Sequence, residues 1–322
     1  KVSLFTLGTM RATESLEKMY SIIKNAYYVG INHIETAPSY GDAESLIGNS
    51  IKKLAIEENI KEKNWVITSK VLPKGDFDFL KNNFKKSLKN LNREKINNLA
   101  IHGLNLKQHL DWVLAGEGKK FISWILEKEL VDQVGFSSHG SYSLIKDAIN
   151  CEVFTFCSLH LHYLDQSKIA LAEEAIKKGM GVLAISPADK GGRLYSPSDI
   201  LIEASKPFHP LELAYRFLLA KGITTLSLGA TNKKDFEFAH KLRNSFEKLT
   251  KLEKSALNKI EEVSNERLNS TKCEQCRSCL PCPNEVPIPE ILRLRNISIG
   301  YGQLEFSKER YNLIGKAGHW WE

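Results

Sequence analysis

Four side chains able to move or hold protons stand just behind short apolar runs in the first third of the chain. Glu35 and Thr36 close the run His33–Thr36, which leads on to Tyr40. Lys70 follows Val66–Ser69, and His102 follows Leu99–Ile101. A free phenol titrates near pH 10, roughly. A neighbouring ammonium stabilises the phenolate and brings the proton within reach of acid catalysis near neutral pH. A carboxylate beside that ammonium keeps it charged and fixed, and an imidazole can hydrogen-bond a carbonyl oxygen. Glu35, Tyr40, Lys70 and His102 are thus equipped to protonate an oxygen while a hydride arrives at carbon. Singly, each has a structural reading, because a Lys or Glu at a strand end is usually solvated and a lone His usually structural. Their coincidence behind three consecutive runs carries the catalytic reading.

A second chemistry lies near the C-terminus. Cys273, Cys276, Cys279 and Cys282 stand three residues apart, with Pro283 following. Iron–sulfur clusters want several thiolates from one tight loop, and the bacterial ferredoxin run has nearly this spacing, with one more residue before its last Cys. A four-thiolate zinc site is the rival, but zinc ribbons separate their two pairs by about 15–20 residues. A disulfide framework suits a short secreted chain better than one of 322 residues with six cysteines. The four cysteines are read as ligands of a [4Fe–4S] cluster. Cys151 and Cys157, far upstream, read as small buried hydrophobes.

These residues need a frame. Strand candidates at Leu4–Leu7, His33–Thr36, Val66–Ser69, Leu99–Ile101, Val134–Ser137, Val153–Phe156, Val182–Ile185 and Thr224–Ser227 alternate with helical patterns. Phe77, Leu80, Phe84, Leu88 and Leu91 fall at helical spacing with Lys and Asn between them. A helix starts after Thr13 and stops at Gly30, and one more amphipathic helix covers about Leu252 to Arg267. Eight βα units in roughly 250 residues is the arithmetic of a TIM barrel, whose active site lies at the C-terminal strand ends. A doubly wound sheet is the alternative, yet no G-x-G-x-x-G follows the first run. The fold class is therefore α/β: a (β/α)8 TIM barrel over residues 1–266. A small C-terminal Cys-rich segment over 267–322 follows, ending Gly318-His319-Trp320-Trp321.

The chain is 42% hydrophobic and 26% charged, an ordinary globular composition, and no apolar run approaches a membrane span. No signal peptide is visible, so a reducing, cytoplasmic setting (or the equivalent organelle stroma) is expected. The net charge of +7 is spread over helical faces, as with Lys81, Lys85, Lys86 and Lys89. No nucleic-acid module accompanies it. The excess can help dock an acidic protein such as a ferredoxin, an electron partner for the cluster.

The stretch Gly30-Ile31-Asn32-His33-Ile34-Glu35-Thr36-Ala37, with Tyr40-Gly41 and Glu44, resembles the aldo-keto reductase signature. So do Thr68-Ser69-Lys70, Ile101-His102-Gly103 and the run from Val134 to Gly140. The wording is most similar to the branch with a C-terminal 4Fe–4S-type cysteine run, which shares Ser186-Pro187-Ala188-Asp189-Lys190-Gly191-Gly192. The resemblance implies NAD(P)H-dependent hydride transfer with a small carbonyl or alcohol substrate. It makes Tyr40 the proton donor, Lys70 its activator, Glu35 the tether of Lys70 and His102 the group orienting the carbonyl. It also places the cofactor, NADP(H) or NAD(H), against Gly8, Thr9, Met10, Arg11, Ser137, Ser138 and Ser158. Further contacts are implied from Ser186, Pro187, Ala188, Lys190, Gly191, Gly192, Gly229, Thr231, Asn232 and Asp235. Departures accompany the match. Glu35 replaces the family's usual Asp. Ser138, Ser158 and Ile185 stand where the family has the Asn, Gln and stacking Tyr that hold the nicotinamide, so carboxamide binding and ring stacking are weakened. Lys233, Lys234 and Asp235 do not decide between NADP and NAD.

Two other classes stay open. His160 and His162 form an H-x-H sharing a strand face with Ser158, and with His102 could bind zinc in a metal-dependent hydrolase. Such enzymes generally carry the motif on the first strand. A barrel that keeps a nucleotide site as a non-catalytic sensor or electron-transfer subunit is the third reading.

Overall fold

The structure is a computed structural model, and it describes residues 1–314 apart from 189, 191 and 277. Eight parallel strands close into a barrel in sequence order, with β8 returning to β1. They are β1 (Phe5–Gly8), β2 (His33–Glu35), β3 (Val66–Val71), β4 (Ile96–Ile101), β5 (Val131–Ser138), β6 (Phe156–His160), β7 (Gly181–Ile185) and β8 (Thr225–Gly229). The helices around them are α1 (Leu16–Tyr28), α2 (Ala43–Glu57), α3 (Phe77–Asn90), α4 (Lys107–Ala115), α5 (Glu117–Glu127), α6 (Tyr142–Asn150) and α7 (Ile169–Lys177). They continue with α8 (Asp199–Ser205), α9 (Pro210–Ala220), α10 (Glu237–Leu242) and α11 (Lys251–Leu268).

Local chemistry explains the element ends. The Ser15 hydroxyl accepts from Lys18 N–H and starts α1, while Gly30, at φ +90°, lets the chain turn into β2. In α3, Leu80, Phe84 and Leu88 are buried and the lysines between them face water. One element moves. The strand expected at Val153–Phe156 lies at Phe156–His160, because Phe156 pairs with both Gly135 and Gly181 and so sets the register. The β-branched and aromatic run before it is approach loop, with Phe154 packed into the core. The shift carries His160 to the strand's C-terminal end and leaves His162 beyond it.

One interior layer of the barrel is polar instead of aliphatic. The His33 ring lies between Thr6 Oγ1 at 2.6 Å and Thr68 Oγ1 at 2.7 Å. Thr6 also meets Thr225 at 2.7 Å, and Asn98 donates to Thr68 at 2.9 Å. Past α11 come α12 (Ile288–Arg295), a π-helical turn (Asn296–Gly300) and α13 (Leu304–Tyr311). Leu294, Ile297 and Phe306 form a small apolar cluster of their own, with Ile314 against it. Gly318, His319, Trp320 and Trp321 lie outside the described residues. Among the described residues no helix is long and apolar enough to cross a membrane.

Candidate active site

The C-terminal ends of the strands surround a cavity of about 1000 Å³. Glu35 ends β2, Lys70 stands near the end of β3, and His102 follows β4, so parallel strands in register bring the three to one rim. Tyr40 arrives on the β2–α2 loop, whose next residue, Gly41, has φ +61°. All four line the cavity. Lys70 is 2% exposed and Glu35 5% exposed, and they form an ion pair. The same ammonium donates to Tyr40 Oη at 2.9 Å and to the Thr36 carbonyl at 3.1 Å. It also lies 4.6 Å from the centre of the Tyr40 ring. The Tyr40 and His102 rings meet edge-on at 6.0 Å.

The electrostatics modify the sequence reading in one respect. Burial, and then the Glu35 charge, push the Tyr40 phenol above its ordinary value, and Lys70 offsets this only in part. The phenol therefore rests protonated, which a proton donor requires. A proton lost from this phenol would leave a phenolate 2.9 Å from the Lys70 ammonium, a contact able to stabilise it. Burial works against the charge on Lys70, but Glu35 and Tyr40 outweigh it and hold the ammonium above its ordinary value. Burial, with Lys70 nearby, pushes His102 down to about 3. Its ring is neutral and can orient a carbonyl oxygen without competing for the proton.

The residues proposed to hold a nucleotide divide. Gly8, Thr9, Met10, Arg11, Ser137, Ser186, Ala188, Lys190, Gly229, Thr231 and Asp235 line the cavity. Gly8 and Gly229 permit close approach there: a Cβ on Gly8 would come within 3.0 Å of Ser227 Oγ. Pro187, Gly192 and Asn232 do not line it, and Gly191, like Asp189 beside it, lies outside the described residues. Ser138 and Ser158 are wholly buried and do not line it either. The Ser138 hydroxyl donates to the Leu104 carbonyl at 2.6 Å, and Ser158 Oγ has no hydrogen-bond partner. The Asp235 carboxylate accepts from Thr231 N–H at 2.7 Å and Asn232 N–H at 3.1 Å, which makes it a brace of its own turn. The sequence reading gave His139 no cofactor role and read His160 only as a zinc-ligand candidate, yet both line the cavity. Lys234 stands beside Asp235, the Arg11 guanidinium lies 5.7 Å from the Tyr195 ring, and His139 sits near His102 with its ring 4.2 Å from that of His160. The corrected end of β6 turns His160 from a zinc-ligand candidate into a residue of the cavity wall.

The four cysteines of the C-terminal run are free thiols on the loop between α11 and α12, half-buried or exposed. Cys273 N–H donates to Asn296 Oδ1 at 3.2 Å, and Cys276 Sγ lies 3.2 Å from Ser278 Oγ, a contact that lowers the thiol's pKa. Among the described residues, no group of three or more His, Cys, Asp or Glu is arranged to hold a metal ion. The donor chemistry fits a four-thiolate cluster, but the loop geometry does not assemble it. Among the described residues the zinc-hydrolase reading likewise finds no assembled ligand set, and His162 lies past the end of β6. Cys157 is buried and pushed up to about 12, whereas Cys151 is only half-buried.

The model of the aldo/keto reductase family matches residues 5–267. The chain belongs to that family. It is 25% identical over 202 residues to an aldo-keto reductase of Strobilurus tenacellus, covering 60% of this chain and 57% of that one. An aldose reductase of Encephalitozoon cuniculi is 29% identical over 180 residues, covering 51% and 58%. The match thus spans under two thirds of either relative's length. The Bombyx mori aldo-keto reductase solved in complex with NADP superposes with a TM-score of 0.62 at 19% identity, covering 79% of this chain and 88% of that one, a likeness of fold.

Proposed function

We propose that this aldo/keto reductase family member is an NAD(P)H-dependent oxidoreductase interconverting a small carbonyl compound and its alcohol. The observation that carries the reading is the buried Glu35–Lys70 pair with Tyr40 Oη 2.9 Å from the ammonium, opening on a cavity of about 1000 Å³. Gly8 and Gly229 at its edge, with Arg11, Lys190 and Lys234, suit a dinucleotide with anionic phosphates. The nicotinamide, when bound, supplies the hydride. The protein's part is the proton: Tyr40 Oη gives it to the carbonyl oxygen, Lys70 stabilises the phenolate left behind, Glu35 holds Lys70, and neutral His102 orients the oxygen. In the alcohol-forming direction the tyrosinate regains its proton from solvent. Calorimetry with NADPH and NADH, followed by turnover of aldehydes by the wild type and Tyr40→Phe, tests this. Failure of both nucleotides to bind below millimolar concentration would refute it.

The sealed hydroxyls of Ser138 and Ser158 favour a second reading, a nucleotide-sensing barrel without turnover; cofactor binding with no carbonyl reduction by any aldehyde would select it. We further propose that residues 267–322 form a unit distinct from the barrel over 1–266. In this unit Cys273, Cys276, Cys279 and Cys282 take a [4Fe–4S] cluster on rearrangement of their loop, and an acidic ferredoxin-like protein is the electron partner. Supporting this are the C-x2-C-x2-C-x2-C-P spacing and the absence of disulfides among these thiols. Anaerobically purified protein should contain about four irons with matching sulfide. Stoichiometric zinc without iron would reject the cluster.

A further inference from the structure

Three hydroxyls stand where a nicotinamide carboxamide is expected to be held, and only that of Ser137 lines the cavity; Ser138 and Ser158 lie outside its lining. Ser137 Oγ accepts from Gly103 N–H at 3.0 Å. Ser138 Oγ donates to the Leu104 carbonyl at 2.6 Å and accepts from Gly140 N–H at 3.0 Å. Ser158 is fully buried and outside the cavity lining. Two imidazoles occupy the positions just beyond. His139 follows the last residue of β5, and His160 ends β6, two residues from Ser158 and on its face of the strand. Both line the cavity together with Tyr40 and His102. Their ring centres are 4.2 Å apart with planes inclined by 36°, so each ring fixes the other's plane.

We propose that His139 and His160 hold the nicotinamide end of the cofactor, taking over the share of carboxamide recognition that Ser138 and Ser158 do not reach; this rests on the nicotinamide-dependent reading above. The chemistry matches. A neutral imidazole carries one N–H donor and one acceptor nitrogen, the complement of a carboxamide's carbonyl and NH₂. Both rings are neutral across the working range, because burial and nearby cations hold His139 at about 3 and His160 well below its ordinary value. A neutral pair also avoids placing fixed positive charge against a ring that becomes cationic on oxidation. Both rings lie on the wall of the cavity that His102 also lines, with His139 near His102, so the site they form shares the cavity with the proposed position of the reacting carbonyl.

The test compares each dinucleotide with its fragment lacking nicotinamide. NADPH is titrated against 2′-phospho-ADP-ribose, and NADH against ADP-ribose, on wild type, His160→Leu, His139→Leu and His160→Gln. His160→Leu and His139→Leu should weaken the intact dinucleotide about tenfold or more, the loss of one or two hydrogen bonds from a closed site. Fragment affinity should stay within about twofold, which also reports that the variants are folded. His160→Gln, which keeps an amide donor and acceptor, should recover most of the affinity. Equal affinity of wild type and both Leu variants for the intact dinucleotide would overturn the inference, as would wild type binding fragment and dinucleotide equally. Wild type binding neither would overturn the nicotinamide reading itself and this inference with it.

Discussion

Removing the Tyr40 hydroxyl separates the chemical role proposed for it, proton donation, from its structural one. Lys70 has three partners: the Glu35 carboxylate, the Thr36 carbonyl at 3.1 Å and Tyr40 Oη at 2.9 Å. Tyr40→Phe takes away one and leaves the ammonium charged and doubly held. A hydrogen bond to a charged group contributes about 1.5–3 kcal/mol net, so the stability loss should fall near the lower end. Losing a general acid costs about 10²–10⁴ in rate, equivalent to roughly 2.7–5.4 kcal/mol of barrier. Lys70→Met contrasts with it. The rate should fall similarly, but Glu35, 5% exposed, would be left buried without its cation, which costs about 3–5 kcal/mol of folding free energy. Single-turnover reduction of an aldehyde, read by loss of dihydronicotinamide absorbance, measures the first effect, and urea unfolding measures the second. The expected signature is two slow enzymes of which only Lys70→Met is strongly destabilised. Wild-type turnover by Tyr40→Phe would refute the assignment of the proton donor. Equal stability of Lys70→Met and wild type would refute the argument from the buried pair.

Further expectations rest on other contacts. His33, fixed between two threonines, is pushed by burial from 6.5 to about 3. The unfolded chain therefore binds a proton there that the folded protein refuses, and stability should fall as pH drops from 6.5 toward 3. His33→Leu should remove up to about 1.4 kcal/mol per pH unit of that slope in urea titrations, since Thr6 and Thr68 keep Thr225 and Asn98 as partners; an unchanged slope would exclude His33 as a source. Arg216 is 6% exposed, pairs with Glu253 at 2.6 Å and also donates to the carbonyls of Glu247 and Lys248. Arg216→Met should cost about 3–5 kcal/mol in chemical denaturation, mostly from the stranded Glu253. Gln303, 6% exposed, donates to the Gly192 carbonyl in the loop after β7. Gln303→Leu should weaken dinucleotide binding several-fold in calorimetry, with single-turnover rate at saturation unchanged; a fall in that rate at constant affinity would contradict the positioning role.

The barrel was legible because each βα unit writes its own pattern: an apolar run too short for a helix, then 3.6-residue periodicity. Seven of eight strand candidates lie on or across the observed strands. Only β6 slipped, because Val153, Phe154 and Thr155 have strand-like side chains while pairing with Gly135 and Gly181 decides the register. That slip hid the place of His160 at the strand's C-terminal end. The tetrad was legible because it sits at strand ends, where a local pattern fixes direction as well as position. The cavity wall was less so. Whether a Ser at the right position turns its hydroxyl to a ligand or to its own backbone depends on the opposite loop, as with Ser138 and the Leu104 carbonyl. The sign of the Tyr40 shift was hidden for a related reason: adjacency to Lys70 is visible in the sequence, but the depth of burial that outweighs it is not.

The C-terminal segment bears on the site whatever its cysteines hold. The Ser198 hydroxyl donates to the Tyr301 carbonyl at 2.5 Å, Gln303 reaches Gly192, and Arg193 pairs with Glu309. On the β6 side, Arg293, held by Glu290 at 2.6 Å, lies 3.8 Å from Asp165, and that carboxylate raises the proton affinity of His162 against the larger effect of burial. These contacts are unequal. The Arg193–Glu309 pair has side chains 31% and 55% exposed, and pairs of that kind contribute about 0–1 kcal/mol. The Gln303 bond is buried, and breaking it strands a carbonyl at a cost of about 1–3 kcal/mol. The buried contacts therefore set the position of the loop carrying Ser186, Ala188 and Lys190, and Asn296 joins the same segment to the cysteine loop through Cys273 N–H at 3.2 Å and the Cys273 carbonyl at 2.8 Å. A rearrangement of the cysteine loop would reach the cavity wall through Asn296, the turn at Tyr301 and Gln303, a route of backbone and partly buried hydrogen bonds that ends on the buried Gln303 contact.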